Sequence, residues 1–471
     1  MTASSKLLFE SVLLADGWAT NVAVEINPNG DFVGVQRLRP KNNTEYQTVA
    51  GCIIPGMPNC HSHAHQRAMA GLGEKAGWFV ENEHKTIDSF WTWRVAMYHY
   101  LERIQPQHLY AIAQQLYLEM LKAGYTHVGE FQYLHHDQKG DAYANKAEMT
   151  LQCMQAAGDL GIGFTALPVL YRYGGFGGQD ALAGQKRFLN NIESFCEIVQ
   201  SLFDAVKNSE HRNCAVGIAP HSLRAITEPL LNEVIDALPK TQLAAIHVHV
   251  AEQIREVDDC MAWCGERPLE WLLNRFDVDQ QWCLIHATHM NDQETTRFAQ
   301  SGSVAGLCPT TEANLGDGFF NLIDYVNQGG VWAIGSDSHI SISPVEELRW
   351  LEYGQRLSYK QRNVMADKQN LNTGMALYCS ALAGGRQSSG AKIGSIAVGQ
   401  RADFIVLDSQ HPRLYYRTEQ DLMDSWLFSG NENLIQDVYV GGVKVIDHGH
   451  HHHQEKIERA FKRVIDELAK S

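Results

Sequence analysis

The chain has 471 residues, too many for one simple core and suited to a large α/β domain with a smaller companion. Its 44% hydrophobic and 20% charged residues are those of a soluble globular protein. A formal net charge of −15 excludes a broad phosphate-binding surface, so nucleic acid and membrane are not expected partners, and an anionic ligand needs local arginines.

The amino terminus lacks the basic start and small-residue cleavage site of a secretory signal, and no run has the apolar length of a membrane span. Ten cysteines are scattered without C-x-x-C pairs, and Cys153, Cys214 and Cys283 sit in apolar runs; this reads as the reduced thiols of a cytoplasmic protein. The first fifty residues carry short β-type runs, LLFESVLLA, NVAVEI and DFVGVQRL, punctuated by Asp-Gly and Asn-Gly turns. From CIIPGMPNCHSH onward, apolar runs alternate with helical periods: THVGEF, IGFTALPVL, NCAVGIAPHS, LAAIHVHVAE, WCLIHATHM, SVAGLCPT and VWAIGSDSH. Eight strands joined by helical crossovers imply a parallel sheet, and eight such units close into a (β/α)8 TIM-type barrel with its chemistry at the carboxyl ends of the strands. A doubly wound open sheet is the competing fold, but no glycine-rich dinucleotide loop follows the first strand.

Short strands return beyond residue 390, in IGSIAVGQRADFIVLD and IQDVYVGGVKVID. The expected organisation is therefore a small discontinuous β-domain from residues 1–55 and 391–450, a barrel over 56–390, and a C-terminal helix over 451–471. In that helix Ile457, Phe461, Val464 and Leu468 fall on one stripe. The tract His450–His453 is expected to be a solvated loop, because no scaffold orients its imidazoles.

Alternate residues of a strand share a face, so His61 and His63 point the same way, about 6.5 to 7 Å apart along the backbone. Alone, this H-x-H is as consistent with a polar loop as with a metal clamp. The later strand ends add His247 and His249 with Glu252 three residues on, then His286, then Asp337. Three imidazoles and one carboxylate at the mouth of a barrel can hold a zinc-like ion and leave a position for water. Arg224, three residues after His221, has a planar fork suited to a carboxylate, and Arg94 lies in the long loop after the first strand. The segment TEANLGDG, residues 311–318, carries turn signals expected to make a tight loop bordering the site, and Gly71, Gly73 and Gly77 suggest a loop over it.

The motifs PGMPNCHSHAHQRAMAGL, DSFWTWR, HSLRA, HVHVAEQ, HATH, TEANLGDG and GSDSH resemble the amidohydrolase superfamily and, within it, the formimidoylglutamate deiminase family, over nearly the whole chain. The resemblance implies hydrolysis of N-formimino-L-glutamate to N-formyl-L-glutamate and ammonia in histidine degradation. It implies one divalent metal ion, normally Zn2+, on His61, His63, His249 and Asp337, with His247 in support. It implies Glu252, His286 and Asp337 as catalytic groups, and Gln66, Arg94, Tyr133, His221 and Arg224 as the pocket for an anionic small molecule. Which of Asp337 and Glu252 delivers the final proton stays open. A two-metal site stays open as well, although the fourth strand lacks the lysine of bimetallic relatives. His65 stands where a phenylalanine is usual and adds an imidazole near the metal; Gln132 stands where a histidine is common. The alternatives are a mononuclear zinc deaminase of a heterocyclic base or another amidine, and an inactive metal-binding module. A homodimer is an open expectation, since relatives often associate.

Overall fold

The Asp16-Gly17 and Asn29-Gly30 turns separate three antiparallel strands, β1 (Ser5–Leu14), β2 (Gly17–Ile26) and β3 (Phe32–Arg37). In this computed structural model residues 4–38, 45–74, 89–209, 213–366, 371–417 and 419–470 are described. Gly30 requires its lack of a side chain: φ is +87° and a Cβ would sit 2.7 Å from the carbonyl oxygen of Gly441. Strand β4 (Gln47–Pro55) runs parallel to β1, and β5 (Met57–Ser62) follows one residue later. The run CIIPGMPNCHSH is thus not one strand. It breaks at Gly56, where any side chain would collide with Thr126, and its two halves join different sheets.

Next come β6 (Tyr125–Gln132), β7 (Gly163–Leu170), β8 (Cys214–Val216), β9 (Ala219–Pro220), β10 (Ile246–Val250), β11 (Trp282–His286), β12 (Val304–Leu307) and β13 (Val331–Ile334). One parallel sheet has the order β5-β6-β7-β8 with β9 also on β7, and a second has β10-β11-β12-β13. Parallel bridges connect their edges on both sides: Ser62 to Asp337, and Ile218 to Ile246 with Ser222 to His249. The expected fourth strand NCAVGIAPHS is two short pieces, because a Cβ at Gly217 would strike the carbonyl oxygen of Ala245 and Pro220 has no N–H to give a ladder.

Helices cover the parallel sheets for ordinary reasons of pattern. Ile192–Asn208 turns Phe195, Ile198, Val199 and Leu202 inward, and its start is capped by Asn191, whose Oδ1 accepts the Ser194 N–H at 2.9 Å. The last strands, β14 (Phe404–Leu407), β15 (Ile435–Val440) and β16 (Val443–Ile446), return to the first sheet and give it the order β16-β15-β14-β4-β1-β2-β3. Both parts of the chain meet in its core, where the Phe404 ring lies 4.8 Å from Phe9 and stacks at 4.3 Å on Tyr439. Each such buried ring stabilises the fold by about 1.5–3 kcal/mol.

Helix Gln454–Lys470 buries Ile457, Val464 and Leu468 and half-buries Phe461, packing along helix Pro106–Lys122. The histidine tract before it is not uniformly solvated. His451 is buried while His450, His452 and His453 are exposed, and burial pulls the His451 imidazole down to about 4. All ten cysteines are free thiols, with Cys153 and Cys283 buried and Cys214 half-buried. Among the described residues no helix is long and apolar enough to cross a membrane.

Candidate metal centre and substrate pocket

The carboxyl ends of β5, β10, β11 and β13 converge, and residues at or just beyond them form one buried polar cluster. His61 and His249 present their Nε2 atoms to one another at 3.1 Å, and His63 Nε2 is also 3.1 Å from that of His61. Asp337 follows β13 and is locked by backbone: its N–H donates to the His61 carbonyl at 3.0 Å, and its own carbonyl accepts the His63 N–H at 3.2 Å. This leaves Asp337 Oδ1 at 3.2 Å from His63 Nε2 and 3.5 Å from His61 Nε2.

These groups fit a divalent cation. The Nδ1–H of His63 donates to the Phe131 carbonyl and that of His249 to the His221 carbonyl, both at 2.9 Å, so their Nε2 atoms carry lone pairs. Only His61 could supply a proton to the trio, and among the described residues its own Nδ1 is buried without a partner. Facing lone pairs at 3.1 Å repel unless a cation lies among them. Burial pushes all three imidazoles below their ordinary range, so they stay neutral at pH 7, the form in which histidine binds a metal.

His286 ends β11 with φ at +67°, and Asp337 has φ at +44°. Such left-handed backbone costs on the order of 1–2 kcal/mol for a non-glycine residue, so both strand ends hold strain. The geometry aims His286 Nε2 at Glu252 Oε1 (3.6 Å) and Asp337 Oδ2 (3.8 Å), while its Nδ1 meets Glu312 Oε1 at 3.2 Å. Burial alone would lower the His286 imidazole, but the carboxylates of Glu252, Glu312 and Asp337 outweigh it and hold it up at about 10. Burial raises the Glu252 carboxyl to about 7, against the opposing pull of His286. A carboxyl and an imidazole that both sit near neutrality or above, side by side in a dry pocket, can exchange protons with a reacting nitrogen.

The remaining candidates line the same cavity as His63, His249, Glu252, His286 and Asp337. Gln66 sits in the single turn Ala64–Met69 and donates to the Tyr133 hydroxyl at 3.0 Å; Tyr133 directly follows β6. His221 follows β9, with Nδ1 3.0 Å from Ser222 Oγ. Arg94 projects from helix Phe90–Leu101 and lies 4.4 Å over the Trp91 ring, whose centroid is also 4.6 Å from Arg255 and 5.6 Å from Arg224. Arg224 is buried, its Nη2 3.9 Å from Glu256 Oε2. Among the described residues, the Nε–H groups of Arg94 and Arg224 are buried without a hydrogen-bond partner. Two such cations on one cavity wall of a chain with net charge −15 suit an anionic ligand.

His65 is buried near Tyr133 (ring centroids 4.6 Å apart), its ring 6.0 Å from that of His63 and outside the imidazole trio, and among the described residues neither of its ring nitrogens is hydrogen-bonded. His247, expected in support and not as a ligand, bonds the Ser388 carbonyl at 2.8 Å and is also outside the trio. Gln132 turns away and accepts the Leu134 N–H. One sequence expectation needs correction: residues 311–315 of the supposed loop belong to a helix, Pro309–Leu315, because Pro309 suits the first turn and Gly316, at φ +71°, supplies the left-handed cap one residue past its end. Gly73 packs beside the Trp93 ring, whereas Gly77 lies outside the described residues. Two contributors escaped sequence reading. Glu312 contacts His286, and Glu130 accepts from Ser62 Oγ and from the Ala64 N–H, both at 2.6 Å, pinning the turn that carries His63. The signal for Glu130 was a lone carboxylate in an apolar run, THVGEF.

Comparison with known proteins agrees with this arrangement. A formimidoylglutamate deiminase of Pseudomonas aeruginosa is 48% identical over 469 residues, covering 98% of this chain and 99% of its own. The crystal structure of an amidohydrolase from Brucella melitensis superposes with a TM-score of 0.91 at 42% identity, covering 99% of this chain and 100% of that one. An adenosine deaminase from Xanthomonas campestris, crystallised with bound zinc, shares the fold with a TM-score of 0.79 at 17% identity over 99% of this chain and 98% of its own. The pattern of the amidohydrolase family runs through residues 52–445, from the end of β4 to β16, and the chain belongs to that family.

Proposed function

We propose that the chain hydrolyses N-formimino-L-glutamate to N-formyl-L-glutamate and ammonia, a step of histidine degradation. The observation that carries this reading is the composition of one cavity: neutral imidazoles and acid–base groups on one wall and, on another, the arginines Arg94 and Arg224, whose Nε–H groups are buried without a hydrogen-bond partner among the described residues. The 48% identity to a formimidoylglutamate deiminase supports the same substrate.

His61, His63, His249 and Asp337 would hold one divalent ion, zinc by the chemistry of the donor set. When bound, such an ion lowers the pKa of water toward neutrality and polarises the imino group. The protein's own groups do the rest. Arg94 and Arg224 hold the two carboxylates, with Gln66, Tyr133 and His221 aligning the formimino group toward His286. Asp337 takes a proton from the attacking water, and His286 orients that water and stabilises the oxygen as the new C–O bond forms. Glu252, neutral up to about pH 7, gives its proton to the imino nitrogen. The proton held by Asp337 then passes to the same nitrogen while Glu252 takes the proton of the new hydroxyl; the C–N bond to that nitrogen breaks, the carbon becomes a formyl group and ammonia leaves.

In architecture, we read the two bridged parallel sheets as one closed (β/α)8 barrel, with β8 and β9 as a single interrupted strand. The barrel spans residues 56–390, the β-domain 1–55 and 391–450, and the C-terminal helix 451–471. Ten free cysteines support a cytoplasmic setting.

The test is ammonia release by purified, metal-analysed protein from formiminoglutamate, adenosine, guanine and simple amidines in parallel. Turnover of formiminoglutamate alone, with one zinc per chain, is expected. Turnover of a base but not of formiminoglutamate overturns the substrate assignment.

A further inference from the structure

Glu312 lies outside every role assigned above. Its carboxylate is buried, at 5% exposure, and accepts at one oxygen from two donors: the Cys308 N–H at 2.8 Å and His286 Nδ1 at 3.2 Å. The first bond fixes the carboxylate to the start of helix Pro309–Leu315, and that helix is tied to the Asp337 turn by Thr311, whose Oγ1 accepts the Ser338 N–H at 3.2 Å. An acceptor held this firmly fixes the orientation of the imidazole ring. Nδ1 must donate to Glu312, and Nε2 is turned toward Glu252 and Asp337.

We infer that Glu312 is a positioning residue for the reaction, holding the His286 ring by its Nδ1–H and aiming its Nε2 into the cavity. The inference rests on the reading of His286 as the group that orients the attacking water. A carboxylate that only capped the helix would serve Cys308 and have no coupling to His286.

Three variants separate these roles. Glu312→Leu removes the acceptor and should lower kcat by roughly 10–100-fold with KM changed less than about twofold. Glu312→Gln keeps an acceptor oxygen in place and should recover most of that loss. In a His286→Asn background, Glu312→Leu should lower kcat by less than about twofold further, because the two residues act as a unit. Equal losses in both backgrounds, or Gln behaving as Leu while the fold is intact, would overturn the inference. Proton-detected NMR of 15N-histidine-labelled protein gives a readout independent of turnover. Wild type should show a hydrogen-bonded His286 Nδ1 proton protected from exchange, and Glu312→Leu should lose that protection; an unchanged pattern counts against Glu312. Should wild type release no ammonia from formiminoglutamate, the functional reading fails, and the NMR result still decides the role of Glu312.

Discussion

The two walls of the cavity are built on different principles. The imidazole wall stands on strand ends: His61, His249 and His286 are almost wholly buried, two ring N–H groups of the metal trio are tied to backbone carbonyls, and Asp337 is held by main-chain bonds on both sides. The arginine wall stands on a helix and a loop. Arg94 is half-buried and meets aromatic faces rather than backbone, and Arg224 faces Glu256 only at 3.9 Å. Bond-making tolerates displacements of well under an ångström, whereas gripping two flexible carboxylates does not need that precision. Under the proposed function, rigid ladders carry the chemistry and adaptable segments carry recognition.

That contrast can be broken by experiment. Asp337→Asn keeps the shape of the first wall and removes its proton acceptor; kcat should fall roughly 10²–10⁴-fold with little change in KM, measured by ammonia release on protein of unchanged circular dichroism. A variant retaining wild-type kcat would place water activation elsewhere. Arg224→Met acts on the second wall and should show the opposite split, KM rising roughly 10–100-fold from the loss of a charged hydrogen bond while metal content is unchanged. An unaltered KM would remove Arg224 from substrate binding. The smallest effect is expected at Trp91, flanked by Arg94 at 4.4 Å and Arg255 at 4.6 Å. Trp91→Leu removes cation–π contacts of about 0.5–1 kcal/mol and should raise KM roughly two- to fivefold. A comparable fall in kcat instead would mean that the second wall also governs the chemistry.

The walls were also unequally legible in the sequence. His61, His63 and His249 could be grouped because period-two spacing is local: each H-x-H carries its own geometry. Strand ends could be listed because apolar runs closing in polar residues are visible one at a time. Contacts between separate segments could not be seen. Trp91 and Arg255 are far apart in sequence, and nothing local announces that they stack. Glu312 was hidden by a true signal read one step too broadly. Gly316 does turn the chain, but as the end of a helix whose first turn delivers the carboxylate. The break at Gly56 depends on Thr126, a residue two strands later in the chain, so an unbroken apolar run concealed the passage from one sheet to another.

The mixed sheet has a consequence for biosynthesis. Strand β4 pairs with β1 on one side and with β14 on the other, Pro55 lying opposite Phe404. About 350 residues separate those partners, so at about 5–20 residues per second the ribosome needs roughly 20–70 s to deliver the second after the first. For that interval an apolar strand keeps an open hydrogen-bonding edge, the kind that pairs with neighbouring chains. Beside it, β5 begins the parallel sheet and holds the first two metal-binding candidates. The strand that leads into the site is therefore made early and gains its second neighbour late, only when the carboxyl-terminal strands arrive.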